Sequence, residues 1–321
     1  MRQGCPEIWR CRYWSILILW ALRGAKGMDE NYYEIPMMFE MDDLEIGKEI
    51  ASVLPDDGGV LSLMRDAIAA SGGKCIRARM CVEFARNLGF KGASLSGLAA
   101  AIELIHYASL LQDDIFDNDE RRRNGPAFHV RWGKSASILY SDIMVSKAYK
   151  MILSINRSDI AGNIVDAVSD MCRGEILHRH RNKSGITADE YIDIVSKKTA
   201  ALFRVSCQSG AMLATSRKGY IDLAAEFGFS YGVAFQLVDD CIDLEETDLK
   251  NNVTTMPQIL NDPSCRKTAA LAIDYIKDAE KCVMKFDEIG DFAGTDGLSY
   301  ALRSLEARAI DVMSRLKTCM A

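Results

Sequence analysis

Residues 99–117 read AAAIELIHYASLLQDDIFD. Up to Leu111 the apolar side chains recur at helical spacing, with one acid and one histidine among them. Carboxylates then crowd in: Asp113, Asp114, Asp117, Asp119 and Glu120, followed at once by Arg121, Arg122 and Arg123. An apolar helix that ends in clustered acids points to an all-α protein whose chemistry sits at a helix end. Asp113 and Asp117 are four apart and share a face. Like charges so placed repel unless a cation stands between them.

The rest of the chain continues this pattern. From about residue 44 onward, helical periodicity covers the segments near 60–71, 75–88, 93–118, 135–153, 158–182, 188–215, 218–244, 265–286 and 297–317. Gly72-Gly73, Gly89 to Gly92 and Asn124-Gly125-Pro126 punctuate it as turns. No segment alternates like a strand. The expectation is a single all-α domain over 28–321, a bundle of long helices around a deep central cavity. The apolar content of 49% suffices for a large core, and only six prolines interrupt it.

A net charge of -6 argues against nucleic acid as partner and shows no polybasic membrane patch. The ten cysteines are scattered singly, as small core residues of a reducing compartment, so a cytoplasmic location is expected. Residues 1–27 stand apart: basic, with an apolar run from Trp14 to Leu22 too short to span a bilayer. They read either as an organelle-targeting or signal segment or as a start assigned too early, with Met28 the beginning. No transmembrane span is expected, only loose membrane association through a lipophilic product.

The acidic spacing returns in GVAFQLVDDCIDLEE as Asp239, Asp240 and Asp243, again after an apolar helix. One such match is most simply a solvated helix end; two point to a function. Carboxylates are hard oxygen ligands, and magnesium takes one or two of them together with substrate phosphate. Two facing clusters suit several magnesium ions around one polyphosphate. Basic residues complete the set: Arg122 and Arg123, whose forks match phosphate oxygens, Lys74 and Arg77 at a glycine-led helix start, and Lys198 beside Thr199. Each alone reads as surface solvation; jointly with two acid clusters they imply a diphosphate site.

Taken together, these residues resemble the trans-isoprenyl (polyprenyl) diphosphate synthases, geranylgeranyl and long-chain types included. GGKCIR, LIHYASLLQDDIFD, RRRNGP, GEIL, KKTAALF and FQLVDDCID stand in the family's order from about Gly72 to Pro257. The resemblance implies a homodimer that joins isopentenyl diphosphate to an allylic diphosphate, with magnesium. Asp113, Asp117 and Asp239 would then ligate magnesium, supported by Asp114, Asp240 and Asp243. Arg122 and Lys198 would neutralise the allylic diphosphate, with Thr199 and Gln236 near the reacting carbons. Lys74, Arg77, His106 and Arg123 would hold isopentenyl diphosphate. Small residues at Ala108 and Ser109, the family's chain-length positions, imply products of twenty carbons or longer; their plainer reading is close helix packing.

Three departures stand out. Gln112 replaces a common histidine, and Cys75 and Ala78 replace an arginine and a proline. In LEETDLKNNVTTMPQIL the family's two loop lysines are missing, with Val253 at the second one's place and Lys250 a candidate substitute. That loss favours an alternative: a weakly active or non-catalytic subunit of a heteromeric synthase. A cyclising terpene synthase would have no need for Lys74, Arg77 and Arg123.

Overall fold

The computed structural model describes residues 43–70, 74–122, 125–181, 185–246, 254–290 and 292–319. Residues 1–27, Gly72-Gly73, Arg123 and the 247–253 loop with Lys250 and Val253 therefore lie outside the described residues. Residues 35–321 cluster as one compact unit, to which every element below belongs.

The described chain is helical almost throughout. In order come α1 (Asp43–Val53), α2 (Val60–Ala70), α3 (Ile76–Asn87) and α4 (Ser94–Asp117). A two-residue antiparallel pair follows, β1 (Arg121–Arg122) with β2 (Gly125–Pro126), Arg121 opposite Pro126. Then come α5 (Phe128–Trp132), α6 (Lys134–Ser154), α7 (Ser158–Arg181) and α8 (Ala188–Val195). A π-helical turn at Ser196–Ala200 leads into α9 (Ala201–Ala214) and α10 (Lys218–Glu246). Last are α11 (Met256–Ile259), α12 (Arg266–Ile289) and α13 (Asp296–Cys319).

Three details differ from the sequence reading. The small hairpin lies where alternation is too short to register. The short helices α5 and α11 span about a turn each, below the length that periodicity resolves. The expected 188–215 helix is broken by the π turn, because such a turn preserves apolar character on both sides and so leaves no trace in the pattern.

Local signals explain the boundaries. Asn118, left-handed at φ 55°, ends α4, with its N–H on the Asp114 carbonyl. A Thr187–Glu190 capping box starts α8: the Glu190 N–H donates to Thr187 Oγ1 at 3.3 Å and the Thr187 N–H donates to Glu190 Oε2 at 3.1 Å.

The core has two main parts. One gathers α1 to α4, α6, α7 and α9, with Leu98, Ala101, Ile102 and Leu104 of α4 fully buried in it. The other gathers α3 and α8 to α13 around Phe84, Phe227, Phe286 and Phe203. Phe84 and Phe227 meet edge to face at 5.4 Å. Each fully buried Phe contributes about 1.5–3 kcal/mol. Helix α4 is also long and apolar enough to cross a membrane by length and composition, yet 67% of its apolar window is buried inside the protein, as for a core helix. Helices α4 and α10 are thereby held rigidly, and each carries one aspartate cluster at its C-terminal end.

Candidate functional site

The first cluster is met by cations from three elements. Arg122 Nε donates to Asp114 Oδ1 at 2.5 Å, where Asp114 is almost fully buried. Arg179, in the last turn of α7, donates to Asp117 Oδ1 at 2.7 Å and to the Phe116 carbonyl at 3.2 Å, and also pairs with Glu175. Lys198 of the π turn pairs with Glu175 at 2.6 Å. Enclosure by protein pushes the Asp113 carboxyl up to about 6; Glu175 and Asp117 add repulsion, against the pull of Lys198 and Arg122. Burial disfavours the Lys198 charge, but Asp113 and Glu175 outweigh it and leave the ammonium above its usual value.

The second cluster divides its acids between roles. Asp240 is buried and pinned three ways: the Tyr191 hydroxyl donates to Oδ2 at 2.6 Å, the Met256 N–H to Oδ2 at 3.2 Å, and Gln236 Nε2 to Oδ1 at 2.9 Å. Burial still pushes its carboxyl up to about 6. Asp239, also raised to about 6 by burial, accepts from Arg308 of α13 at 3.1 Å. Asp243 is exposed, and its charge reaches Asp240.

Lys198 and Thr199 stand between the clusters. Lys198 faces Glu175 and the first, while the Thr199 hydroxyl donates to Gln236 Oε1 at 2.7 Å and so reaches Asp240 of the second. A π turn fits one more residue into the turn than an α-helix would, and such turns recur at functional sites. Two glycines let neighbouring helices close on it. A β-carbon at Gly174 would stand 2.6 Å from the Lys198 backbone nitrogen, and one at Gly232 would stand 2.7 Å from Ala200 Cα.

Arg77 lies beside the second cluster. Its guanidinium sits 4.2 Å over the Phe203 ring and bonds His106 Nε2 at 3.0 Å. Arginine only donates, so His106 accepts at Nε2 and carries its proton on Nδ1. Burial lowers the Arg77 pKa, opposed by Glu103 and Asp239. Lys74 is exposed just before the left-handed N-cap Cys75, which makes no side-chain cap bond to the first turn of α3. Gln112 donates to Ser141 Oγ at 2.9 Å and ties α4 to α6.

At the chain-length positions, Ala108 is buried in the core, as close packing requires. Ser109 is partly buried, its hydroxyl donating to the His106 carbonyl at 2.8 Å.

Four residues of the site have no place in the sequence reading. Glu175 lies inside GEIL, and Arg179 follows it by one turn, a spacing that signals a pair. Tyr191 and Arg308 carry no local signal; they meet their acids only through the fold. Among the described residues no three Asp, Glu, His or Cys side chains form a metal-holding group by themselves. Magnesium needs no such group, since it takes one or two carboxylates and completes its shell with water and phosphate. Asp113 and Asp117 share a helix face, with the Asp117 charge adding to the raised proton affinity of Asp113, and fit that demand.

Comparison with known proteins agrees with the architecture. The polyprenyl synthetase family model matches residues 59–289. A short chain isoprenyl diphosphate synthase of Methanothermobacter thermautotrophicus is 33% identical over 210 residues, 64% of each chain. An octaprenyl diphosphate synthase of Haemophilus influenzae is 30% identical over 65% of this chain and 64% of that one. The matched region thus spans somewhat less than two thirds of these relatives. A polyprenyl synthase of Caulobacter crescentus, crystallised with calcium and isoprenyl diphosphate, superposes with a TM-score of 0.73 at 25% identity, over 83% of this chain and 93% of that one. With the family model matched over most of the chain and the fold shared, this protein belongs to the polyprenyl synthetase family.

Proposed function

We propose that the chain is a magnesium-dependent trans-prenyltransferase that condenses isopentenyl diphosphate with an allylic diphosphate. The product is a polyprenyl diphosphate of twenty carbons or longer, and pyrophosphate is released. The observation that carries this reading is the placement of Lys198 and Thr199 between two acid clusters, one on α4 and one on α10. The Caulobacter crescentus protein of the same fold holds a divalent cation and an isoprenyl diphosphate, which supports the ligand chemistry.

Magnesium would be held by Asp113, Asp117 and Asp239, with Asp243 near and Asp114 and Asp240 as anchored supports. Bound there, it supplies Lewis-acid neutralisation of a diphosphate leaving group. The chain's own residues do the rest. Lys198, with Arg122 and Arg179 nearby, offers fixed positive charge to the departing diphosphate as the allylic C–O bond breaks with its electron pair. The double bond of isopentenyl diphosphate attacks the allylic carbon. A proton then leaves the adjacent carbon, taken up by the departed diphosphate. Arg77 and His106 hold the isopentenyl diphosphate group, with Lys74 and Arg123. The Thr199–Gln236 pair presents oriented neutral dipoles beside the reacting carbons, and the Phe203, Tyr231 and Phe235 rings wall off water.

A homodimer in the cytoplasm is part of this proposal; the described cysteines are thiols, six of the seven buried. The missing loop lysines favour a second reading, a weak or non-catalytic subunit that works with an active partner. One experiment tests both. Purified protein is given magnesium, labelled isopentenyl diphosphate and ten-, fifteen- or twenty-carbon allylic primers, and the dephosphorylated products are sized. A ladder ending at one length of twenty carbons or more is expected. No product with any primer from folded protein overturns the first reading and directs the search to a partner chain.

A further inference from the structure

The last turns of α7 address both acid clusters. Glu175, His178 and Arg179 stand at helical spacing and share a face. Glu175 and Arg179 serve the first cluster, through Lys198 and Asp117. His178 turns to the second. It is buried, its Nε2 lies 3.0 Å from the Thr254 carbonyl, and its ring meets Tyr191 edge to face at 5.6 Å. A carbonyl only accepts, so Nε2 carries the proton and donates it. Burial first, with the Lys198 and Arg179 charges, disfavours a second proton on the ring and outweighs the pull of Thr254 and Glu175.

Both contacts lead to one oxygen. The Tyr191 hydroxyl and the Met256 N–H each donate to Asp240 Oδ2, at 2.6 and 3.2 Å. Met256 opens α11, a helix of four residues, too short to hold its own position. Its capping box, Thr255 closed on Gln258, is internal to that turn. The His178 bond instead ties the turn to a long helix 76 positions away in sequence. Asp240 adjoins Asp239 on α10, so the way it is anchored decides how the acids beside it are presented. We propose that His178 is a positioning residue: its Nε2–H bond to the Thr254 carbonyl holds the Met256 N–H on Asp240 and so orients the second acid cluster for magnesium diphosphate. This rests on the prenyltransferase reading above.

Two variants separate the bond from the packing. His178→Phe keeps a ring against Tyr191 and removes the donor. His178→Gln restores an N–H donor at a similar reach. Calorimetry would measure the binding of inorganic pyrophosphate with magnesium to the full chain. His178→Phe should weaken it about tenfold, as the loss of an outer partner of a metal site does, and His178→Gln should stay within about threefold of the unmodified chain. Unchanged affinity in a folded His178→Phe chain, or equal weakening in both variants, would overturn the role. Histidine-selective NMR of the unmodified chain, with the His178 signal identified by its loss in His178→Gln, should show a neutral ring protonated at Nε2; it serves if the Phe variant fails to fold. A proton on Nδ1 instead overturns the bond and the proposal with it. If the unmodified chain binds no magnesium pyrophosphate, the prenyltransferase reading falls and the role of His178 with it. Normal binding that ignores His178→Phe removes His178 alone.

Discussion

Gly174 of α7 packs against Lys198 so tightly that a β-carbon on the glycine would stand 2.6 Å from the lysine's backbone nitrogen. Helix α7 therefore sets where the π turn lies, and the turn sets where Lys198 points. Gly174→Ala should cost about 1–3 kcal/mol by overpacking and reduce turnover further than that loss of folded protein explains. Gly162, on the same helix, has no atom within 4 Å of its would-be β-carbon. Gly162→Ala should instead stabilise by about 0.5–1 kcal/mol with turnover unchanged. Urea unfolding and a turnover assay on both variants check the contrast; equal behaviour would mean the contact positions nothing.

Asp113 is held with a folded-state pKa of about 6 against an ordinary 3.8, first by burial. A carboxyl raised in this way favours the folded state fully below pH 3.8, and that contribution is lost as pH rises through about 6. At pH 7, without metal, the ionised group is a burden on the fold. Asp113→Asn should then be more stable than the unmodified chain by about 1–2 kcal/mol at pH 7, allowing for solvent screening, and equal to it near pH 3.8. Turnover should fall by on the order of 100-fold or more, since a charge needed in the reaction is gone. Unfolding in a chelator across that pH range reads the first part. A stability gain that persists at low pH would sink the explanation.

Tyr191 donates to the buried Asp240 at 2.6 Å and joins α8 to α10. Tyr191→Phe removes the donor and little volume. A loss of about 1–3 kcal/mol is expected, the cost of leaving a buried acceptor short of a partner. Asp240 should also titrate at still higher pH, visible by carboxyl-selective infrared or NMR titration. Unaltered titration would show that the Gln236 and Met256 donors suffice.

Ala108 and Ser109 part company in the fold. Ala108 is buried, so Ala108→Phe should overpack the core and destabilise by about 1–3 kcal/mol. Ser109 is only partly buried, with its hydroxyl satisfied by its own helix. Ser109→Phe should leave stability within about 1 kcal/mol and shorten the longest product. Product sizing decides: unchanged length in a stable Ser109→Phe chain would place the ruler elsewhere.

Much of the fold was legible in the chain itself. The apolar recurrence through 99–111 and its counterpart before Asp239 declare two helices that end in acids, because helix formation and amphipathic spacing are local properties. Part of the candidate site's grouping was legible too, since Asp113 and Asp117 share a face by spacing alone, and Lys198-Thr199 and Gln236 sit in quoted motifs. The π turn at Ser196–Ala200 was not legible, because apolar character continues across it.

What the tertiary structure decided is which charge meets which. Arg179 reaches Asp117 across 62 positions and Arg308 reaches Asp239 across 69. Arg122 bonds Asp114, and Asp240 anchors Tyr191 and Met256. Sequence fixes the residue types and the face each occupies, since those follow from 3.6 residues per turn. Pairing across helices depends on crossing angle and closeness, which small residues such as Gly174 and Gly232 permit but which only the packed core selects.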